Sequence, residues 1–207
     1  MKFGNGCWLQ KEGIECFAPQ EAYFVNRDED AVVICAPTHH IGHRGDTLGG
    51  INLTVRITAP APEVIRVQTS HYLGVQKKGP EFELNISNSF KGEVEETEDE
   101  VTVKSGSLAL HINKKNWSME YTREGKLLTK SSGRDLAYMR TQWTGFAYDM
   151  DPEGKAYMRQ QLDLSVNEHV YGLGERFGAF VKNGQSVDIW NEDGGTSTDQ
   201  SYKNIPF

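Results

Sequence analysis

From Ile51 to Thr58 the chain sets Ile, Leu, Val and Ile alternately against Asn, Thr, Arg and Thr. A period of two places every apolar side chain on one face of an extended backbone, so the segment reads as a strand with one buried and one wet side. After the breaker Ala59 to Pro62, the same alternation resumes over Val64 to Thr69. Tyr23 to Val25 and Ala31 to Cys35 flank the polar stretch Asn26 to Asp30, which is the pattern of a hairpin. Val101 to Lys104, Leu108 to Ile112, Trp117 to Tyr121 and Leu127 to Thr129 follow at short spacing, separated by Ser-Gly, Asn-Lys-Lys-Asn and Arg-Glu-Gly-Lys. Separators of that composition form tight turns, so this region is expected to be a meander of hairpins.

Further strands are expected at Trp143 to Tyr148, Tyr157 to Leu164, His169 to Tyr171, Phe177 to Val181 and Val187 to Trp190. The acidic run Glu93, Glu95, Glu96, Glu98, Asp99 and Glu100 lies between strand signals and predicts a solvated hairpin. A calcium loop would instead place Gly and carbonyl ligands at fixed offsets. Ser131 to Arg140 is the most polar and turn-like stretch. No segment sustains the i, i+3, i+4, i+7 spacing of a long helix. The fold class expected is therefore all-β, an antiparallel β-sandwich with one or two short helical turns at most. Aromatic residues at 10% and 21 glycines against five methionines fit a strand-and-turn chain.

A chain of 207 residues suits one large domain or two small ones. At this size roughly 70% of the unfolded surface can be buried, enough for a real core. The net charge of −7 argues against nucleic acid or an anionic membrane as partner, because both require a positive surface. Met1 to Leu9 lacks the apolar run of a signal peptide, and no stretch approaches the roughly 20 apolar residues of a membrane span, so the cytoplasm is the expected location. An oligomer is compatible with the sequence. Cys7, Cys16 and Cys35 are odd in number and lack C-x-x-C spacing, which predicts free structural thiols.

Several patterns resemble chemistry without completing it. His39, His40 and His43 sit in a Gly-rich loop, whereas a zinc site draws three or four ligands from rigid elements; no metal is expected there. Gly172, Gly174 and Gly178 miss the G-x-G-x-x-G spacing that sets a pyrophosphate on a helix N-terminus, so no cofactor is implied. The sequons at Asn52, Asn85 and Asn116 read as chance in a chain without an export signal. The C-terminal segment differs. Trp190, Asn191 and Asp193 lead into Gly194, Gly195 and Thr196. A ring face, an amide and a carboxylate on a bendable loop are the groups that bind sugars, although an ordinary tight loop shares the composition.

At these residues the chain resembles glycoside hydrolase family 31, and most closely the N-terminal domain of bacterial α-xylosidases. The resemblance is carried by VYGLGERFGAFVKNGQ from Val170 to Gln185, by WNEDGGTSTDQSYKNIPF from Trp190 to Phe207, and more loosely by the GxWLxxxG pattern around Trp8. It implies that residues 1–207 are a single N-terminal domain of galactose mutarotase-like supersandwich type, with 191–204 as the pocket loop. It further implies a catalytic (β/α)8 barrel, with both catalytic aspartates, on polypeptide outside this stretch. No catalytic residue is then assigned here. Asp193 matches the family's loop Asp, which hydrogen-bonds substrate hydroxyls on the leaving-group side, and Gly194, Gly195 and Thr196 shape that loop. The implied partners are the barrel and an oligosaccharide with terminal α-linked xylose or glucose. Many relatives have Arg where this chain has Glu192, a charge reversal that bears on leaving-group preference.

Four further expectations follow. Tyr171 to Arg176 holds the root of the loop, with Glu175 and Arg176 as a local charge pair. Phe177, Phe180, Trp190 and Phe207 form an exposed patch where the barrel packs. The loop from Glu192 to Asn204 is mobile unless a neighbour orders it. A free-standing carbohydrate-binding module is the alternative, given Trp8, Trp117, Trp143 and Trp190; a mutarotase would need a His and a Glu in one cleft, and His71, His111 and His169 carry no such motif.

Overall fold

A computed structural model describes residues 4–5, 9–71, 82–83, 92–141, 155–192 and 200–206. The chain divides into two compact units, Gly13–Asp163 and a second made of Met1–Glu12 with Leu164–Phe207.

In the smaller unit β1 (Gly4–Asn5) pairs antiparallel with β2 (Leu9–Gln10), and the larger unit is built from antiparallel sheets. In one, β4 (Phe24–Arg27), β5 (Ala31–Pro37), β6 (Asn52–Ala61) and β7 (Val64–Ser70) pair in sequence order. In a second, β8 (Glu93–Glu96), β9 (Glu100–Ser105), β10 (Leu108–Asn113), β11 (Ser118–Arg123) and β12 (Lys126–Ser132) do the same. A third joins β3 (Ile14–Phe17) to β13 (Ala137–Thr141), which also pairs β14 (Ala156–Arg159). The lone helical element among the described residues is a 3-10 turn at Arg44–Thr47.

The alternation in β6 does what its period demands. Leu53, Val55, Ile57 and Ala59 are buried, while Thr54, Arg56 and Thr58 are only partly covered. They meet Val32, Ile34 and Ala36 of β5 on their own sheet, and Val101, Val103, Leu110, Ile112 and Met119 of the second sheet. Two apolar faces pressed together in this way define a β-sandwich, and each fully buried aliphatic side chain contributes about 1.5–3 kcal/mol. Trp117 lies in the same core at 1% exposure, and among the described residues its indole N–H has no hydrogen-bond partner.

The two sheets are also clasped at one end by their turns. Glu63, in the β6–β7 turn at φ +61°, accepts hydrogen bonds from Ser107 N (2.7 Å) and Ser107 Oγ (2.6 Å) in the β9–β10 turn. Ser105 Oγ donates to Ala61 O (3.1 Å) beside it. Gly106, at φ +63°, leaves the space that the Glu63 carboxylate fills. The Ser107 hydroxyl and then its backbone N–H hold the Glu63 carboxyl below its ordinary value, with the Arg123 charge adding to the effect.

The acidic run forms the expected hairpin, β8 against β9, with Val94 opposite Val103. The sequence-based strands differ from the structure at several other places. Tyr157 to Leu164 shortens to β14, and β6 runs through its expected breaker to Ala61, with a register shift between Thr58 and Ala61. Ser131 to Arg140 is not a turn region throughout, because it contains the start of β13, where Leu136, Ala137 and Met139 are buried. Their burial outweighs the polar composition around them. His169 to Tyr171, Phe177 to Val181 and Val187 to Trp190 form no strands. In that region backbone groups pair with side chains and turns instead of a ladder: Val170 N donates to Asn183 Oδ1 (2.8 Å), and Gln185 N to Lys182 O (3.0 Å). The strand expected at Trp143 to Tyr148 lies outside the described residues.

Candidate functional site

Gly172, Leu173 and Gly174 take φ values of +101°, +70° and +91° in succession. Three left-handed residues in a row end any extended run and turn the chain sharply; glycine adopts this geometry freely and Leu173 does so under strain. Gly174 is required for a second reason. A Cβ there would overlap the Lys203 carbonyl oxygen and come within 2.9 Å of Ile205 N. The close approach lets Glu175 N donate to Lys203 O (3.2 Å).

Around this crossing the root of the 191–204 segment is built. Asn191 and Ser201 form a parallel bridge, and Glu192 N donates to Ser201 O (3.1 Å). Gln200 Nε2 donates to Glu192 Oε2 (2.7 Å) just above it. Ser201 is 2% exposed, with its hydroxyl between Glu175 O and Lys203 O. Asn204 Nδ2 donates to Asn191 Oδ1 (2.7 Å) and to Ser201 O (3.3 Å). Arg176 donates to Asn204 Oδ1 and, through Nε, to Leu173 O (3.0 Å).

The expected substrate contacts, Asp193, Gly194, Gly195 and Thr196, lie outside the described residues, as does Phe207. Glu192, Gln200, Ser201, Lys203 and Asn204 take part in the bonds just given. Glu175 faces Lys203 Nζ at 3.8 Å, both side chains exposed, and Arg176 makes the contacts to Asn204 and Leu173. Sequence reasoning placed the root at Tyr171 to Arg176 but missed its counterparts Asn191, Ser201 and Asn204. Nothing in their order reveals pairing across a loop, although a run of small amide and hydroxyl residues after a Gly-rich stretch is a usable signal.

Phe177, Phe180 and Trp190 are 65%, 80% and 71% exposed. Tyr171 packs edgewise between His169 (6.3 Å between ring centroids) and Phe180 (5.1 Å).

In the larger unit the histidines have separate partners. His39 Nε2 lies 2.6 Å from Asp46 O, and His40 Nδ1 3.1 Å from Glu21 Oε2. His43 accepts from Gly45 N (3.0 Å) and caps the 3-10 turn with Asp46. No group of three metal-ligating side chains occurs among the described residues. Cys16 and Cys35 are free thiols; Cys7 lies outside the described residues. His111 pairs with Glu100 (3.2 Å), Thr102 and Thr122 on one sheet face. The Thr102 hydroxyl, followed by His111, holds the Glu100 carboxyl below its ordinary value. A cavity of about 230 Å³ has Arg27, Asp28 and Val103 in its lining, and one of about 150 Å³ has Tyr23, His39 and Asp46. No helix of the described residues is long and apolar enough to cross a membrane.

Comparison with known proteins places this geometry. The profile of the glycosyl hydrolase 31 N-terminal galactose mutarotase-like domain matches residues 54–207. An α-xylosidase from Emericella nidulans is 40% identical over the whole of this chain, which covers 28% of that protein. The α-xylosidase XylQ of Lactiplantibacillus pentosus is 38% identical, again over the whole chain and 26% of the relative. The chain thus spans about a quarter of their length. Among solved structures, the cycloalternan-forming enzyme from Listeria monocytogenes in complex with pentasaccharide substrate has a TM-score of 0.65 at 18% identity, over 93% of this chain and 16% of that one. The Flavobacterium johnsoniae GH31 dextranase complexed with glucose gives 0.62 at 18% identity, over 93% and 21%. At such identity the likeness is one of fold. On the profile match and the sandwich fold, the chain belongs to the glycosyl hydrolase 31 N-terminal galactose mutarotase-like domain family.

Proposed function

We propose that this chain is the N-terminal domain of a retaining α-glycosidase of α-xylosidase or α-glucosidase type, acting on terminal α-linked xylose or glucose of oligosaccharides. The observation that carries the reading is the match of the entire chain to about a quarter of two α-xylosidases. In a retaining glycosidase one carboxylate attacks the anomeric carbon while a carboxylic acid, about 5–5.5 Å away, protonates the leaving oxygen. Those two groups belong to the barrel in this reading, and the chain described here supplies none of them.

Its contribution is to the shape of the pocket. A (β/α)8 barrel carries its site at the C-terminal face, where an added loop becomes one wall and selects what fits. Asp193 is the proposed hydrogen-bond acceptor for substrate hydroxyls, with Gly194, Gly195 and Thr196 shaping its loop. The exposed Phe177, Phe180 and Trp190 support the reading as the surface on which the barrel packs.

Two measurements test it. The 207-residue chain should release no aryl alcohol from an aryl α-xyloside above background, while the complete polypeptide should turn over. Robust turnover by the isolated chain refutes the assignment of catalysis to the barrel. Saturable millimolar binding of xylo-oligosaccharides by the isolated chain, followed by Trp fluorescence, would instead identify a binding module.

A further inference from the structure

Asn183 does the work of a strand partner in a region where no strand forms. Its Oδ1 accepts from Val170 N (2.8 Å) and its Nδ2 donates to Glu168 O (2.9 Å), so one side chain satisfies two backbone groups of the 168–170 segment. Lys182 N completes the tie by donating to Val170 O (2.7 Å). Asn183 and Gly184 are also the central residues of a turn closed by Gln185 N donating to Lys182 O (3.0 Å). Gly184 takes φ +72° whereas φ at Asn183 is negative, as in a type II turn.

The same dipeptide is chemically labile, because a glycine after asparagine places no side chain in the way of its own backbone nitrogen. Gly184 N attacks Asn183 Cγ: the new C–N bond forms, the N–H proton passes to solvent, and Nδ2 leaves as ammonia. Water then opens the cyclic imide at one carbonyl or the other, giving aspartate or, as the main product, isoaspartate. The structure leaves the reactants accessible. Asn183 is exposed, and among the described residues no hydrogen bond engages Gly184 N and nothing crowds the position where a Cβ would start. What restrains them is the tie itself. Drawing Cγ to bonding distance of Gly184 N moves Oδ1 and Nδ2 off Val170 N and Glu168 O.

We propose that Asn183 is a site of spontaneous deamidation, held back by its bonds to Glu168 and Val170, and that the product releases the 168–170 segment from the Lys182–Gln185 turn. Isoaspartate adds a methylene to the backbone inside the turn, so the Lys182 and Gln185 bonds lose register. It also replaces the Nδ2 donor with a carboxylate, which repels Glu168 O.

The test incubates the 207-residue chain at mildly alkaline pH, folded and in urea. Peptide mapping by mass spectrometry follows the amide-to-acid mass gain and the isoaspartate content at Asn183, separately from Asn5–Gly6, the other Asn-Gly pair of the sequence. The folded chain should react roughly 5- to 160-fold more slowly than the chain in urea, the factor that two hydrogen bonds supply. Val170→Pro deletes one of the two backbone partners and should speed the folded reaction roughly 2- to 12-fold. If that variant does not fold, the comparison of folded and unfolded wild type still decides the point. In the purified isoaspartyl chain, Lys182 N–H and Gln185 N–H should exchange about tenfold faster than in the unreacted chain, with the amides of β5 and β6 unchanged. Absence of isoaspartate at Asn183 in urea, equal rates in the folded and unfolded chain, an unchanged rate in folded Val170→Pro, or unchanged exchange in the product overturns the proposal.

Discussion

Replacing Gly174 with alanine separates the two demands placed on that residue. Its φ of +91° alone disfavours any L side chain, by roughly 1–2 kcal/mol. The added methyl must also displace the Lys203 carbonyl, which accepts from Glu175 N (3.2 Å), and a backbone bond of this kind is worth about 0.5–1.5 kcal/mol. Together these give about 1.5–3.5 kcal/mol, or roughly a 13- to 370-fold increase in local opening. Amide hydrogen exchange is the suitable assay, because Glu175 N–H and Glu192 N–H are both donors at the root and their protection should fall by that factor. Two glycines of the same unit calibrate the effect. Gly184, at φ +72° and with open space among the described residues where a side chain would start, should show the conformational part alone, and Gly178, equally open among them and without a positive φ, should show little. If Gly174→Ala and Gly184→Ala prove equal, close approach to Lys203 plays no part and the described root is wrong.

The sandwich offers further tests. Leu110→Ala, at a site with no exposure, should cost about 2–5 kcal/mol in urea unfolding, whereas Leu128→Ala, at 42% exposure, should cost well under half as much. Trp117→Phe should fall within about 1 kcal/mol of wild type, because the lost volume is offset by removing a buried N–H that has no partner among the described residues; Trp117→Ala should cost about 3–5 kcal/mol. Glu63→Gln should lower the thermal midpoint near neutral pH. The Glu63 carboxyl lies below its ordinary value of 4.5 in the folded chain, so its contribution is complete above that value and is lost as pH falls through the lower folded one. The gap between Glu63→Gln and wild type should therefore close on acidification, and a gap that widens would show that the clasp does not depend on the charge.

What the sequence disclosed follows from which interactions are local. Period-two alternation in β6 and the turn residues of the β8–β12 meander act within a few positions, and their strands and pairings were legible. The pairing of β3 with β13, with Phe17 opposite Tyr138, was not, since no local signal links segments 121 residues apart. The three absent strands after His169 show the reverse error. Those runs have the β-branched and aromatic composition of strands, but composition records only fitness for a pleated surface, and a strand exists when a partner accepts its backbone bonds. Here Val170 N donates to the Asn183 side chain and Val170 O accepts from Lys182 N instead.

The candidate site divides along the same line. Glycines at 172 and 174 could be recognised as special from sequence, but a glycine pattern cannot distinguish a phosphate cradle from a backbone crossing; the deciding fact is that the space beside Gly174 is filled by Lys203 O from a segment 29 residues away. The charge pair read between Glu175 and Arg176 rested on adjacency, yet neighbouring residues on an irregular turn point in different directions. Arg176 thus reaches Asn204, and the positive charge beside Glu175 comes from Lys203. Arg176 donates to an amide oxygen and to a carbonyl, contacts that a planar fork of donors suits. The consequence is that lysine, equal in charge but without the planar fork, should only partly replace it.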